Sequence, residues 1–389
     1  MNTNPDIQYI DTPDALRLFS EQISGADWIA LDTEFLREKT YYPKLCLLQI
    51  ATTEVVACID PIALDDLSPL LDVIFDARIT KVMHAARQDL EILFNIQGSV
   101  PVPVFDTQIA ALLLGYPDQI GYGNLVKETL GVSLEKKHTR ADWSLRPLSQ
   151  DQVQYAADDV VYLVDVYLQL LEKLNGLGRL DWLHGDFERL TSTDLYLNDP
   201  EKAWLKVKGG KRLKGSSLSV LQVFAAWREK TAQKKNIPKG WLMRDDVLID
   251  LARLQPDSIP SLGKIRGIGE GLVKRNGEYL LGLIEDAKKK QPEPIADREF
   301  RARLSPSQDA LVDVMMAVVR ISAENNSLNP AVLATRKHLE KLLAGETDSS
   351  LMQGWRKKLI GDQLQALLDG KLDLAVKNGE LVLNEPFAE

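Results

Sequence analysis

The run Trp28-Ile-Ala-Leu-Asp32-Thr-Glu34-Phe35 constrains this chain more than any other stretch. Trp28 to Leu31 is apolar without a break and reads as a buried strand. Two carboxylates then follow, two residues apart. Successive side chains of a strand point to opposite faces, so Asp32 and Glu34 share one. Two acids on one face of a buried strand repel each other and lose hydration unless a positive group sits between them. A divalent cation is the simplest such group. Hard oxygen ligands suit Mg²⁺ or Mn²⁺, and so point to metal-assisted chemistry on phosphate. Taken alone, Asp-x-Glu at a strand end is more often a solvated edge or the loop before a helix. The rest of the chain decides between these.

At 389 residues the chain is too long for one ordinary domain. Residues 1 to 200 read as a single α/β domain. Trp28–Phe35, Leu45–Ala51 and Val55–Ile59 form a three-strand meander. Leu64–Phe75 has helical spacing, Lys81–Ala85 is a short strand, and Asp89–Ile96, Thr107–Leu114 and Leu125–Leu130 are helices separated by Gly and Pro. Ser149 supplies the N-cap of a long helix running to Leu174. A meander followed by alternating strands and helices predicts a mixed sheet with helices on both sides.

Beyond Leu218 the pattern is helical only. Residues 201–214 read as a basic linker, 215–290 and 295–370 as two all-α units, and 371–389 as an extended tail or edge strand. Gln291-Pro-Glu-Pro294 has linker composition. Val247-Leu-Ile-Asp-Leu-Ala252 echoes Val332-Leu-Ala-Thr-Arg-Lys337, which suggests an internal duplication of roughly 80 residues.

The formal net charge of −9 argues against a polyanion partner only if charge is evenly spread. It is not. Positive charge gathers in Lys202–Lys214 and in Arg228 to Arg244, and a local basic stripe suffices for nucleic acid. No membrane-length apolar run occurs, and the start of the chain lacks the pattern of a secretory signal. Cys46 and Cys58 lie in apolar strands and read as core residues, which fits a cytoplasmic compartment. Trp143, Trp204 and Trp241 read as core anchors.

Further carboxylates are available downstream. Asp89 opens the helix whose apolar face is Leu90, Leu93 and Phe94, where it either stabilises the helix dipole or joins a metal site. In Tyr155-Ala-Ala-Asp158-Asp159, Tyr155 and Asp159 share a helical stripe while Asp158 turns away by about 100°. The two alanines permit close approach of a strand or substrate.

Asp32-x-Glu34, His84-x-x-x-x-Asp89 and Tyr155-x-x-x-Asp159 together resemble the three exonuclease motifs of the DEDD superfamily, in its tyrosine subclass. The run from Leu31 through Tyr41-Tyr-Pro to Gln49-Ile is similar to the ribonuclease D family, and the helical units resemble the HRDC domain. The second unit lacks a counterpart of Gly267-Ile-Gly269. The resemblance implies an RNase H-like α/β mixed-sheet exonuclease domain followed by two HRDC-like helical domains. It implies 3′→5′ release of nucleoside 5′-monophosphates from RNA, tRNA precursors and other structured RNAs with single-stranded 3′ ends above all. Two divalent metal ions, Mg²⁺ or Mn²⁺, are implied as cofactors. By position, Asp32, Glu34 and Asp159 would bind the catalytic ion, Asp32 would bridge to a second, and Asp89 would act through the water shell of that ion. Tyr155 would orient the attacking water; a phenol titrates near 10 and is a poor base at neutral pH.

Phe35 either stacks on the terminal base or packs in the core. Gln49 and His84 either hydrogen-bond the terminal nucleotide or are satisfied buried polar groups. Gly267-Ile-Gly269 either approaches a phosphate or is a turn before a helix. A monomer is expected, with no membrane partner. A chain lacking residues 291–389 is expected to keep its chemistry on short single strands and to lose affinity for structured RNA. The competing classes are an exonuclease acting on DNA and an RNA-binding scaffold without catalysis.

Overall fold

The computed structural model describes residues 6–135, 137–138, 141–294, 304–346 and 350–384. Of these, residues up to Glu34, Cys46–Ser192 and 304–384 form one compact unit, while Phe35–Leu45 and 193–294 form a second.

The first unit is built on a six-stranded sheet in the order β1-β4-β3-β2-β5-β6. Its strands are β1 (Ile7–Ile10), β2 (Trp28–Leu36), β3 (Lys44–Ala51), β4 (Val56–Ile59), β5 (Thr80–Met83) and β6 (Val104–Asp106). The expected meander is present as the neighbours β2, β3 and β4. Strands β3 and β4 pair antiparallel, and β1–β4, β2–β5 and β5–β6 pair parallel, so the sheet is mixed. No element before Trp28 was expected from the sequence, yet β1 and helix α1 (Pro13–Ile23) lie there. The three-residue β6 is too short for periodicity to register.

The remaining helices of this domain are α2 (Ser68–Ile74), α3 (Arg87–Gln97), α4 (Thr107–Leu112), α5 (Tyr122–Leu130), α6 (Gln150–Gly176) and α7 (His184–Leu190). Helix α6 begins at a capping box in which Ser149 and Gln152 each bond the other's backbone N–H. Its apolar stripe, including Ala156, Ala157, Val160, Leu163 and Val164, is buried, and the helix crosses β1, β4 and β5. That crossing holds Tyr155 and Asp159 against the sheet.

The second compact unit contains α8 (Gly215–Lys235), α9 (Lys239–Leu242), α10 (Asp245–Leu254), α11 (Ile259–Gly263) and α12 (Glu270–Lys288). Residues 201–214 are not a solvated linker. They form two 3₁₀ turns whose Trp204, Val207 and Leu213 join the core of this unit with Leu221, Phe224 and Leu248. Gly210 is required there, because a Cβ would meet the Leu221 side chain at 2.7 Å. The loop after the carboxylate strand belongs to this unit too. Tyr41 donates its hydroxyl to the buried Glu229, which Lys239 pairs at 3.2 Å. Asn236, left-handed at φ 47, accepts the Tyr41 and Tyr42 N–H groups at 3.1 Å each.

The basic stretch Arg228 to Arg244 is only partly a surface. Arg228 is buried, donating to Met243 O and Asp245 at 2.9 and 2.8 Å. Trp204 is a core anchor as expected, but Trp241 is 64% exposed. Gly267 has a φ of +85, and a Cβ there would crowd Val247 at 3.2 Å, so backbone geometry and packing account for this glycine.

In the first unit, 304–384 form α13 (Pro306–Asn325), α14 (Pro330–Leu333), α15 (Arg336–Leu343), α16 (Gly354–Arg356), a π turn (Lys357–Gly361) and α17 (Asp362–Leu368). Helices α14 and α15 are separate, with Thr335 capping α15. The long helix, one-turn helix and shorter helix of the second unit recur here in the same order. The expected tail is an antiparallel hairpin of β7 (Asp373–Lys377) and β8 (Glu380–Asn384). Its final residues, 385–389, and the expected start of the second helical unit at 295 lie outside the described residues.

Candidate active site

Strand β2 carries Asp32 and Glu34 on either side of Thr33, which is buried, as is Leu31 before them. Asp89 sits in the first turn of α3, and Asp106 shapes the entry to that helix. The Asp106 carboxylate accepts the Ala85 and Ala86 N–H groups at 3.2 and 2.8 Å. It also caps α4 through the Gln108 N–H at 2.8 Å. Ala85 is thereby held at φ 55, a left-handed conformation that a non-glycine residue adopts at a cost of roughly 1 kcal/mol. Thr33 donates its hydroxyl to Asp89 Oδ1, tying the two elements together. Asp159 lies one turn after Tyr155 on α6. Asp158 is turned aside and accepts from Gln154 at 2.8 Å.

Burial and neighbouring acids raise all four carboxylates. Burial raises Asp32 well above the ordinary carboxyl range, and the negative charges of Asp89, Asp159 and Glu34 raise it further. Burial, then Asp159 and Asp89, push Glu34 up to about 8. Burial pushes Asp89 to about 7 against the opposing Thr33 hydrogen bond, and Asp159 likewise to about 7 with Asp158 contributing. The charges acting most strongly on each group are carboxylates. Such a set is balanced by a cation, and its all-oxygen donors fit Mg²⁺ or Mn²⁺. Among the described residues, no three His, Cys, Asp or Glu side chains already converge as a formed ion site does. The fit is therefore one of donor chemistry.

Tyr155 lies between two rings. Trp143 stacks on it with centroids 6.1 Å apart and planes 30° apart, and His138 meets it edge-on at 5.6 Å.

The three expected nucleotide contacts fare differently. His84 is committed to protein on both nitrogens: Nε2 lies 3.0 Å from Ile120 O and Nδ1 3.0 Å from Thr107 Oγ1. A carbonyl accepts only, so the Nε2–H tautomer is assigned, and burial lowers the pKa of the ring. His84 braces the motif rather than offering a hydrogen bond to a nucleotide. Gln49 is 0% exposed and neither of its amide atoms bonds to protein. It stands opposite Cys58, whose thiol donates to Val153 O of α6 at 3.7 Å, so it faces α6 inside the core. Phe35 is half-buried beside Glu34 at the end of β2.

Thr33, Asp106 and Tyr122 were not singled out from the sequence. Tyr122 packs on His84 at 5.5 Å and donates to Asp158 O at 3.0 Å. Burial raises its pKa far above the usual phenol value, with Asp159 and Asp32 adding to the shift. Only Thr33, lying between the two acids, carried a local signal.

Residues 7–175 match the 3'-5' exonuclease family and residues 217–284 match the HRDC domain. Ribonuclease D of Zymomonas mobilis is 38% identical over 95% of each chain. Ribonuclease D of Jannaschia sp. is 37% identical over 97% of this chain and 99% of its own. The chain belongs to the ribonuclease D family. It is a 3′-5′ exoribonuclease, as the three motifs implied. Among solved structures, Escherichia coli RNase D, described as an exoribonuclease involved in structured RNA processing, superimposes with a TM-score of 0.80. It is 32% identical, over 95% of this chain and 99% of its own. The catalytic core of RRP6 from Trypanosoma brucei is 26% identical with a TM-score of 0.56, over 73% of this chain and 80% of its own. Among the described residues, no helix is long and apolar enough to cross a membrane.

Proposed function

We propose that this exoribonuclease releases nucleoside 5′-monophosphates from single-stranded 3′ ends of structured RNA, tRNA precursors above all, acting as a cytoplasmic monomer. Asp32, Glu34, Asp89 and Asp159 would hold two divalent ions. The observation that carries this reading is the set of four carboxylates drawn from β2, α3 and α6, each raised by burial and two of them, Asp32 and Glu34, raised further by the others, with Tyr155 one turn from Asp159. When bound, divalent cations acidify water and neutralise charge on the scissile phosphate and the departing 3′ oxygen. The Tyr155 hydroxyl orients the water whose oxygen attacks phosphorus as the bond to the 3′ oxygen breaks. Thr33 keeps Asp89 aimed through its hydroxyl hydrogen bond. The phenol of Tyr122, far from ionising, adds no further negative charge.

The RNA-holding surface we assign to a groove of about 650 Å³ in the second compact unit, lined in part by Trp227, Lys230, Lys234, Lys235, Tyr279 and Lys290. The exposed Tyr279 and lysines, with the half-buried Trp227, suit stacked bases and backbone phosphates. Hydrolysis of a labelled hairpin RNA with a single-stranded 3′ tail tests the proposal. Mg²⁺ or Mn²⁺ should support stepwise 5′-monophosphate release and EDTA should stop it; a matched DNA tail should react more slowly. No release with either ion, from folded protein that still binds the hairpin, would favour the scaffold class. Tyr155→Phe should lower kcat roughly 10²-fold with KM within about threefold, because orientation is lost and binding is not. A KM change larger than the kcat change would contradict the assigned role.

A further inference from the structure

Arg146 uses its whole guanidinium in one place. Nε and Nη2 grip the Asp60 carboxylate as a two-bond fork at 2.6 and 2.7 Å. Nη2 also donates to Cys46 O at 2.6 Å, and Nη1 donates to Trp143 O and Leu145 O at 2.8 Å each. All five N–H donors of the side chain are thus engaged. Asp60 is equally committed: it accepts the Tyr9 hydroxyl at 2.7 Å and the Ile62 and Ala63 N–H groups at 2.9 and 3.3 Å. The pair is largely buried, with side-chain exposures of 22% and 3%. Burial alone would raise Asp60, yet the Arg146 fork, Tyr9 and Ile62 together hold it below its ordinary value.

The node joins three strands to the segment that leads into α6. Tyr9 is on β1, Cys46 on β3, and Asp60 follows β4. Arg146 lies four residues before the first residue of α6. Its grip on the Trp143 and Leu145 carbonyls fixes a segment that has no strand or helix of its own. Trp143, 3% exposed, is the ring stacked on Tyr155. The Asp60 fork therefore fixes Arg146, Arg146 fixes the Trp143 backbone, and Trp143 limits where the Tyr155 ring can lie.

We infer that Arg146, locked on Asp60, is a positioning residue for Tyr155, acting through the Trp143 stack. The inference rests on the proposed role of Tyr155 for its kinetic consequence, but its structural content stands apart from that role. Neither Arg146 nor Asp60 touches the carboxylate set. A displaced phenol still leaves the metal ligands and the RNA surface in place, so the loss falls on kcat.

A double-mutant cycle with an independent spectroscopic arm tests this. Arg146→Met should lower kcat on the order of 10-fold, with KM within about threefold, because a misplacement of about 1 Å can cost that much or more. Trp143→Leu leaves the Arg146–Asp60 pair intact and should give a similar loss, which guards against a variant that merely unfolds. Added to Tyr155→Phe, either substitution should cost less than about twofold more, since the orientation it supports is already gone. A full multiplicative loss on that background, or a loss confined to KM, overturns the inference.

The second arm uses 3-fluorotyrosine-labelled full-length protein, with the Tyr155 ¹⁹F signal assigned by its absence in Tyr155→Phe. Arg146→Met and Trp143→Leu should shift and broaden that signal. An unmoved signal overturns the inference whatever the kinetics. If the signal moves while Tyr155→Phe leaves kcat unchanged, the coupling stands and the catalytic role of Tyr155 fails.

Discussion

Asp32→Asn abolishes turnover, by roughly 10³-fold or more, and raises the melting temperature of the metal-free protein. The two effects share one cause. Burial raises Asp32, and the charges of Asp89, Asp159 and Glu34 all raise it further. Removing its charge weakens one of the proposed oxygen donors, so divalent ions should be lost with the activity. It also relieves repulsion inside a buried cluster, and the asparagine N–H groups can donate to the remaining acids. The expected gain is on the order of 5 °C in EDTA. Wild-type protein in EDTA should itself lose stability as pH rises. Folded-state pKa values of about 7 for Asp89 and Asp159 and about 8 for Glu34 lie above those of the unfolded chain. The protonated forms are therefore favoured by folding. Their contribution is fully present below the unfolded values near 4 and is lost as pH climbs through 7 to 8. Melting curves of wild type and Asp32→Asn, in EDTA and in Mg²⁺, check each part. A lower melting temperature for the variant in EDTA, or residual Mg²⁺-dependent release above about 1%, would refute this account of the cluster.

A chain ending at residue 294 should be destabilised in its catalytic unit, with a melting temperature lower by roughly 10 °C. The sequence led to the opposite expectation, that loss of 291–389 spares the chemistry. The structure places 304–384 in the same compact unit as the sheet. Trp355 stacks on Trp182 with centroids 4.6 Å apart and planes 10° apart, and its indole N–H donates to Trp182 O at 3.0 Å. Arg356 pairs with Asp186 at 3.0 Å, both largely buried. Arg179 bridges Leu113 O and Asn326 O at 2.7 and 2.6 Å, and Asn329 donates to Tyr116 O at 3.1 Å. Truncation strands Arg179 with half its partners and exposes Trp182. Contacts of these kinds sum to several kcal/mol. Differential scanning fluorimetry of the truncated and full chains, with hydrolysis of a short single strand, checks this. An unchanged melting temperature with full activity would show the segment to be a separable arm.

The acids of the site were legible because their signals are local. Asp32 and Glu34 share a strand face, Asp89 opens a helix, and Tyr155 and Asp159 are one turn apart. Gln49 and His84 were candidates for nucleotide contact or for buried polar groups, because a polar residue in an apolar run fits either. Whether it faces solvent or core depends on what packs over it, and α6 and the Thr107–Ile120 region cover these two. Residues 202–214 read as a basic tether by charge alone. The apolar residues Trp204, Val207 and Leu213 take them into a core, and the lysines remain at its surface.

By itself the sequence determined the mixed α/β class and the helical second half, which follow from periodicity, while short motifs on three separate elements marked the candidate carboxylates and their resemblance to known exonuclease motifs pointed to the family. Only the tertiary structure decided which segments share a compact unit, that the last helices brace the catalytic sheet, and that Arg146 meets Asp60 across 86 residues. Contacts between residues far apart in the chain leave no local pattern. They are chosen by which buried surfaces and unpaired polar groups complement one another once the elements meet.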